Sequence, residues 1–219
     1  MQADNRGRFI TLEGTEGVGK STNLQFIQSV LEQYKVQYQL TREPGGTPLA
    51  EQVRELLLAN REERVAEDAE LLLVFAARAQ HLSQVVRPAL ERGEWVLCDR
   101  FTDATFAYQG GGRGLDNQFI SQLETMVQRG LQPDLTILLD LPVEIGLARA
   151  RQRADLDRFE NEKIVFFERV REAYLARAKS DPQRFAVVDA SGTLEQVQQQ
   201  IRGVLDKYLA ENLDLTISE

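Results

Sequence analysis

Apolar residues recur along this chain in two rhythms, and each rhythm predicts an element. Short apolar runs at 9–13 (FITLE), 95–98 (WVLC), 135–139 (LTILL) and 185–188 (FAVV) predict buried strands, and the alternating VQYQL at 36–40 predicts another. Elsewhere apolar positions return every three or four residues, as in Leu24, Ile27, Val30 and Leu31, the spacing of a helix that ends near Lys35. The same spacing predicts helices over 49–59, 67–91, 116–129, 143–153, 160–179 and 194–209, the second of them interrupted near Pro88, which has no N–H to donate. Residues 212–219 are expected to fray. Strands alternating with helices predict an α/β fold, a parallel sheet of about five strands with helices on both faces. No internal repeat or low-complexity linker breaks the pattern, so residues 1–219 are expected to form a single domain.

Composition narrows what such a domain can do. At 219 residues and 42% hydrophobic content the chain can bury one sizeable core. Residues 1–8 (MQADNRGR) are polar, and no uninterrupted run reaches the roughly 20 apolar residues of a membrane span, so a cytoplasmic protein with no membrane partner is expected. The lone Cys98 sits inside an apolar run and is expected to be a buried strand thiol. A formal net charge of −8 argues against a general nucleic-acid role, which draws its affinity from clustered Lys and Arg. Any anion site must therefore be a local gathering of arginines.

The first strand runs into GTEGVGKS, residues Gly14, Thr15, Glu16, Gly17, Val18, Gly19, Lys20 and Ser21, the P-loop pattern placed between a strand and a helix as phosphate binding requires. Glycines let successive N–H groups turn toward one anion, Lys20 brings a point charge to the outer phosphates, and Ser21 offers a hydroxyl to Mg²⁺. The helix that starts here adds the positive end of its dipole. TREPGGTPLA, at 41–50, follows the next strand, where α/β sheets place ligand loops; a plain connector is the other reading.

A P-loop alone does not separate a kinase from a switch or motor ATPase, so the residues opposite it decide. The strand at 95–98 delivers Asp99 and Arg100 to the sheet's carboxyl edge, where the carboxylate suits a magnesium ion and the guanidinium a phosphate; a structural ion pair is the alternative. Asp140, after its own strand, rivals Asp99 for the metal. Residues 146–160 (GLARARQRADLDRFE) crowd Arg149, Arg151, Arg153 and Arg158 together. On a helix Arg149 and Arg153 share a face and repel by roughly a few tenths of a kcal/mol unless an anion lies between them. Asp155 and Asp157 offer the competing reading, a solvated charged turn. Phe75 and Arg78 share a helical face and, with Thr105, Tyr108 and Gln109 ahead of GGGRG (110–114), could stack on and read a pyrimidine; Phe75 alone also suits a core. His81 has no nucleophile to pair with and reads as structural or surface.

Together these residues make the chain resemble the thymidylate kinase family. The matching pieces are LEGTEGVGKST (12–22), TREPGGTPLAE (41–51), FAARAQHL (75–82), DRFTDATFAYQGGGRG (99–114) and LARARQRADLDRFE (147–160). The resemblance implies a P-loop kinase fold and a homodimer that uses ATP and Mg²⁺ to phosphorylate dTMP, in the bacterial form whose arginine lies in a lid at about 146–160 and not in the P-loop, where Gly17 follows Glu16. By that likeness the catalytic set is Lys20, Arg100, Arg149, Arg153 and Arg158, and Gly14 to Ser21 hold ATP. Glu16 reaches the sugar hydroxyl of dTMP, Arg100 with Arg54 holds its phosphate, and Phe75 stacks on thymine. Arg78 donates to a ring carbonyl, Thr105 and Gln109 face the ring, and Tyr108 crowds the 2′ position. Arg42 is a further candidate for the same pocket, and Ser21 and Asp99 form the metal side. Phe101 departs from the Tyr or His of many relatives. A kinase of another nucleotide or of a deoxynucleoside is the nearest alternative, and a nucleotide-controlled protein switch the more distant one.

Overall fold

The computed structural model describes residues 6–151, 158–160 and 162–213. Five strands, β1 (Phe9–Glu13), β2 (Tyr38–Arg42), β3 (Trp95–Asp99), β4 (Leu135–Asp140) and β5 (Phe185–Asp189), form one sheet in the order β2-β3-β1-β4-β5. Every pairing is parallel. The helices are α1 (Lys20–Gln33), α2 (Pro48–Leu58), α3 (Glu67–His81), α4 (Arg87–Glu91), α5 (Thr102–Thr105), α6 (Asn117–Gln128), α7 (Val143–Ala150), α8 (Ile164–Ser180) and α9 (Leu194–Asn212). The crossover from β1 runs to β2 at one edge and that from β3 runs past β1 to β4 on the other side, so the carboxyl ends of β1 and β3 open on a crevice.

The strand period divides the core. Ile10, Leu12, Leu97, Ile137 and Leu139 point to one face and pack with Ile27, Val30 and Leu31 of α1 and Val197, Ile201 and Leu205 of α9. Phe9, Val96 and Cys98 point to the other, against Leu82, Val86 and Phe101. Cys98 is a buried free thiol, as its apolar run predicts.

Several boundaries differ from the sequence-based expectation. The strand expected at 36–40 lies at Tyr38–Arg42, because Val36 belongs to the core beside α1 while the ladder with β3 runs from Tyr38↔Trp95 to Arg42↔Asp99. The break expected at Pro88 is a widened π turn at Leu82–Val86; the extra residue makes room for a ring that would press on the carbonyl four residues earlier, and the helix resumes as α4. The helix expected from 160 starts at Ile164, since Arg158 is held in a turn by its N–H to the Leu58 carbonyl (3.1 Å). The helix expected to 153 ends as α7 at Ala150 with Arg151 as its C-cap, residues 152–153 lying outside the described residues; of the tail expected to fray at 212–219, Asn212 still belongs to α9, and 214–219 lie outside the described residues.

The three glycines of the GGGRG stretch, 110–112, continue α5 as the end of a π segment over Phe106–Gly112. Close approach of α8 explains the glycines: a Cβ on Gly111 would sit 2.6 Å from the Ala173 Cβ, and one on Gly112 2.5 Å from the Phe166 ring. Gly111→Ala is therefore expected to lower stability by about 1–3 kcal/mol, read as a lower urea midpoint with an unchanged slope. An unchanged midpoint would show that α8 yields freely.

Candidate functional site

The crevice is lined on one side by the loop from Glu16 to Ser21 and on the other by Arg42, Arg54, Arg78, Asp99, Arg100, Thr105, Tyr108 and Gln109. The loop's shape needs glycine at two places in particular. Gly14 has φ +144° with the Leu139 carbonyl 2.7 Å from any added Cβ, and Gly17 has φ +71° with the Gly146 carbonyl at 1.8 Å. Gly19, left-handed, leads into α1, whose end has no side-chain cap, so its first amides can meet an anion. Lys20 folds across the loop, its Nζ donating to the carbonyls of Gly14 (3.2 Å) and Thr15 (3.0 Å). Burial first, and then the Arg100 charge, push this lysine below its ordinary range.

Arg100 turns the chain at φ +68°, a conformation that costs a non-glycine residue about 1–3 kcal/mol and persists only where its surroundings fix it. They do so here from three sides. Arg100 N–H donates to the Leu12 carbonyl (3.0 Å), its own carbonyl accepts from the Cys98 thiol (3.0 Å), and the next N–H, of Phe101, donates to Glu13 Oε1 (2.7 Å). Tyr174 of α8 donates to the other Glu13 oxygen at 2.7 Å. Burial, and next the charge of Asp103, push Glu13 up to about 8.

The Arg100 guanidinium thereby reaches the phosphate loop. Its Nη2 donates to Glu16 Oε1 (2.6 Å) and to the Tyr108 hydroxyl (2.8 Å), and Tyr108 donates to the same Glu16 oxygen (2.8 Å). Burial alone would raise Glu16, but Arg100 and Lys20 outweigh it and hold the carboxyl down at about 2. Arg54 donates to the Pro44 carbonyl (3.0 Å), and burial, then repulsion from Arg42 and Arg100, push it below its ordinary range. Arg54 thus feels the charge of both other guanidinium groups lining the cavity, an arrangement suited to an anion. Arg42 meanwhile rests on Glu51, at 3.3 and 2.8 Å.

The rival carboxylates separate clearly. Both Asp140 oxygens are clasped by Arg171 (2.6 and 2.9 Å), whereas Asp99 lines the cavity with Oδ1 buried and without a hydrogen-bond partner. An orphaned carboxylate oxygen lining the same cavity as the Ser21 hydroxyl fits a hard cation such as Mg²⁺. Among the described residues no cluster of three or more His, Cys, Asp or Glu could cage a metal alone, so a cation here needs water and phosphate oxygens to complete its shell.

The remaining candidates fall in different places. Arg78 and Thr105 are buried together, with Nη2 donating to the threonine hydroxyl at 2.9 Å, and Gln109 donates to Glu70 (2.8 Å). Phe75 is 2% exposed, packs with Leu71, Phe106 and Ile120, and lies under the Arg78 guanidinium at 4.8 Å; the cavity wall at that level is Val74. Arg158 pairs with Glu70 (2.7 Å) and donates to the Leu57 carbonyl (2.8 Å), away from the phosphate loop. Arg149 is exposed at the end of α7, and Arg153 lies outside the described residues. The sequence reading missed Glu13, Glu43, Glu70 and Tyr174; a glutamate closing the buried run FITLE was the available signal for the first. No helix of the described residues is long and apolar enough to cross a membrane.

Comparison with known proteins agrees with this geometry. A family model described as thymidylate kinase matches residues 12–201. The thymidylate kinase of Teredinibacter turnerae is 64% identical over 203 residues, covering 93% of this chain and 99% of that protein. That of Pseudomonas putida strain GB-1 is 63% identical over 199 residues, covering 91% and 95%. The crystal structure of thymidylate kinase from Ehrlichia chaffeensis superposes with a TM-score of 0.73 at 32% identity, covering 91% of this chain and 99% of that one.

The two perturbed glutamates set opposite pH dependences. Glu13 rises from 4.5 to about 8 on folding, so the folded chain holds a proton the unfolded chain has lost, and stability falls as pH rises through that window. Glu16 drops from 4.5 to about 2, so its contribution is lost only as pH falls through that lower range. Glu13→Gln is expected to flatten the loss of urea midpoint between about pH 5 and about pH 9. A variant profile parallel to wild type would contradict the assignment.

Proposed function

This chain belongs to the thymidylate kinase family, and from that membership we propose how its crevice carries the reaction. It transfers a phosphoryl group from ATP to dTMP, giving dTDP. A nucleoside monophosphate carries about −1.5 to −2 at neutral pH, so the attacking oxygen is already largely ionised and needs no strong general base. The barrier is electrostatic: two polyanions must meet in line.

In our reading the Gly14 to Ser21 loop cradles the ATP phosphates, with Lys20 leaving the loop carbonyls to meet them. Arg100 and Arg54, with Arg42 beside them, hold the dTMP phosphate at the place where their mutual repulsion is relieved. Tyr108 and Glu16 stand at the sugar, Arg78, Thr105 and Gln109 line the base side, and Phe75, which does not line the cavity, lies beneath Arg78. Arg149, Arg153 and Arg158 are the candidates to neutralise charge on the transferring group, although Arg158 is committed to Glu70 here. Mg²⁺, held by Ser21 and Asp99 together with phosphate oxygens, would supply further charge neutralisation. The single observation behind this reading is the set of facing guanidinium groups opposite the loop in a protein of net charge −8.

We assign the reaction to the cytoplasm, with small-molecule substrates and neither nucleic acid nor membrane as partner. The proposed oligomer is a homodimer, supported by exposed Leu56, Leu72, Phe119 and Met126 on α2, α3 and α6, which pack on one another in that order.

Two measurements test the assignment. ADP release with dTMP, dUMP, dCMP, dGMP and thymidine should be fastest with dTMP and absent with thymidine, which lacks the acceptor phosphate. ATP binding with no transfer to dTMP would overturn it. Arg153→Ala should lower kcat by about two decades or more with a modest change in KM for dTMP. A near-normal kcat would pass the role to Arg149 or Arg158.

A further inference from the structure

The base side of the crevice rests on a buried polar chain that the reaction itself does not use. Arg78 is 2% exposed, with its guanidinium sandwiched between the rings of Phe75 (4.8 Å) and Phe101 (5.0 Å). Two of its nitrogens are committed: Nε donates to Glu43 Oε2 at 2.7 Å and Nη2 to the Thr105 hydroxyl at 2.9 Å. Nη1 is buried with no hydrogen-bond partner, on a residue that lines the cavity. A buried donor left unsatisfied costs about 1–3 kcal/mol, so the arrangement makes sense if a ligand acceptor completes it.

What aims that nitrogen lies one step further back. Glu43 spends its second oxygen, Oε1, on His81 Nδ1 at 2.8 Å, and His81 Nε2 meets the Thr41 hydroxyl at 2.7 Å. His81 is 0% exposed. Burial works to raise Glu43, but Arg78 and His81 outweigh it and hold the carboxyl below its ordinary range, so it is an acceptor only and Nδ1 must carry the hydrogen. The chain is closed by backbone: Gly46 has φ +84°, and a Cβ there would lie 2.6 Å from both His81 Cδ2 and Thr41 Oγ1. Arg78, Glu43, His81 and Thr41 thus form one buried chain of hydrogen bonds that fixes the Arg78 guanidinium.

We infer that Glu43 and His81 are positioning residues for base choice, holding Arg78 so that its free Nη1 accepts only a base with a carbonyl oxygen at the facing ring position. The inference rests on the reading that Arg78 faces the base of the acceptor nucleotide. Thymine offers an oxygen there and cytosine an amino group; a rigid donor meets the first with a hydrogen bond and the second with an opposed donor. A mobile Arg78 could swing aside and admit both. Glu43 and His81 therefore act mainly by excluding cytosine, and only secondarily by tightening thymine.

The test is the ratio of kcat/KM for dTMP to kcat/KM for dCMP, measured on the full chain. It does not depend on the folded fraction of each preparation. Glu43→Gln and His81→Leu should each lower the ratio by about 10-fold or more, with KM for ATP unchanged. His81→Asn, which can still place an N–H on Glu43, should restore most of the ratio. If His81→Leu does not fold, Glu43→Gln alone decides. A wild-type ratio in Glu43→Gln while Arg78→Gln loses discrimination would overturn the positioning role and leave Arg78 as the reader. An unmoved ratio in Arg78→Gln would remove the base-facing reading, and this inference with it.

Discussion

The site depends on a single strained turn. Arg100 adopts a left-handed backbone that its side chain disfavours, and only there does the guanidinium leave the end of β3 to reach across to Glu16 on the phosphate loop. The turn is fixed by Leu12, Cys98 and Glu13, which belong to the two central strands, and Glu13 is fixed in turn by Tyr174. The sheet core and the position of one charge are therefore the same structural fact. Rigid placement of this kind lets a charge stabilise a transition state without reorganising when the reaction occurs.

Charge in the crevice is organised as temporary pairs. Arg100 rests on Glu16, Arg42 on Glu51 and Lys20 on loop carbonyls. The repulsion that Arg54 feels from Arg42 and Arg100 favours a substrate that brings negative charge. An acidic protein can thus bind two polyanions because its positive charge is local and only lightly satisfied.

Much of this was legible in the chain. The apolar runs located the strands, and the pattern from Gly14 to Ser21 identified the loop because backbone geometry leaves few residue types able to form it. Asp99 and Arg100 could be placed at the sheet edge because an apolar strand delivers them there. The supporting carboxylates were not legible. Glu13, Glu43 and Glu70 matter through partners 30 or more positions away, as in the Glu43 contacts with Arg78 and His81, and no local period records such pairs. The π segment at Phe106–Gly112 was hidden for a related reason, since what Gly111 and Gly112 serve is seen only with α8 lying against them. His81 showed no nucleophile to serve, and its role emerged only with Glu43 and Thr41 around it.

The central claim is that Arg100 recognises the acceptor's phosphate and not its nucleoside. The most direct measurement is calorimetric binding of dTMP and of thymidine to wild type and to Arg100→Met. The substitution is expected to weaken dTMP by about 100-fold or more while thymidine binds as before, in keeping with loss of a partly buried charge pair. Equal affinity for dTMP in the two proteins would contradict it.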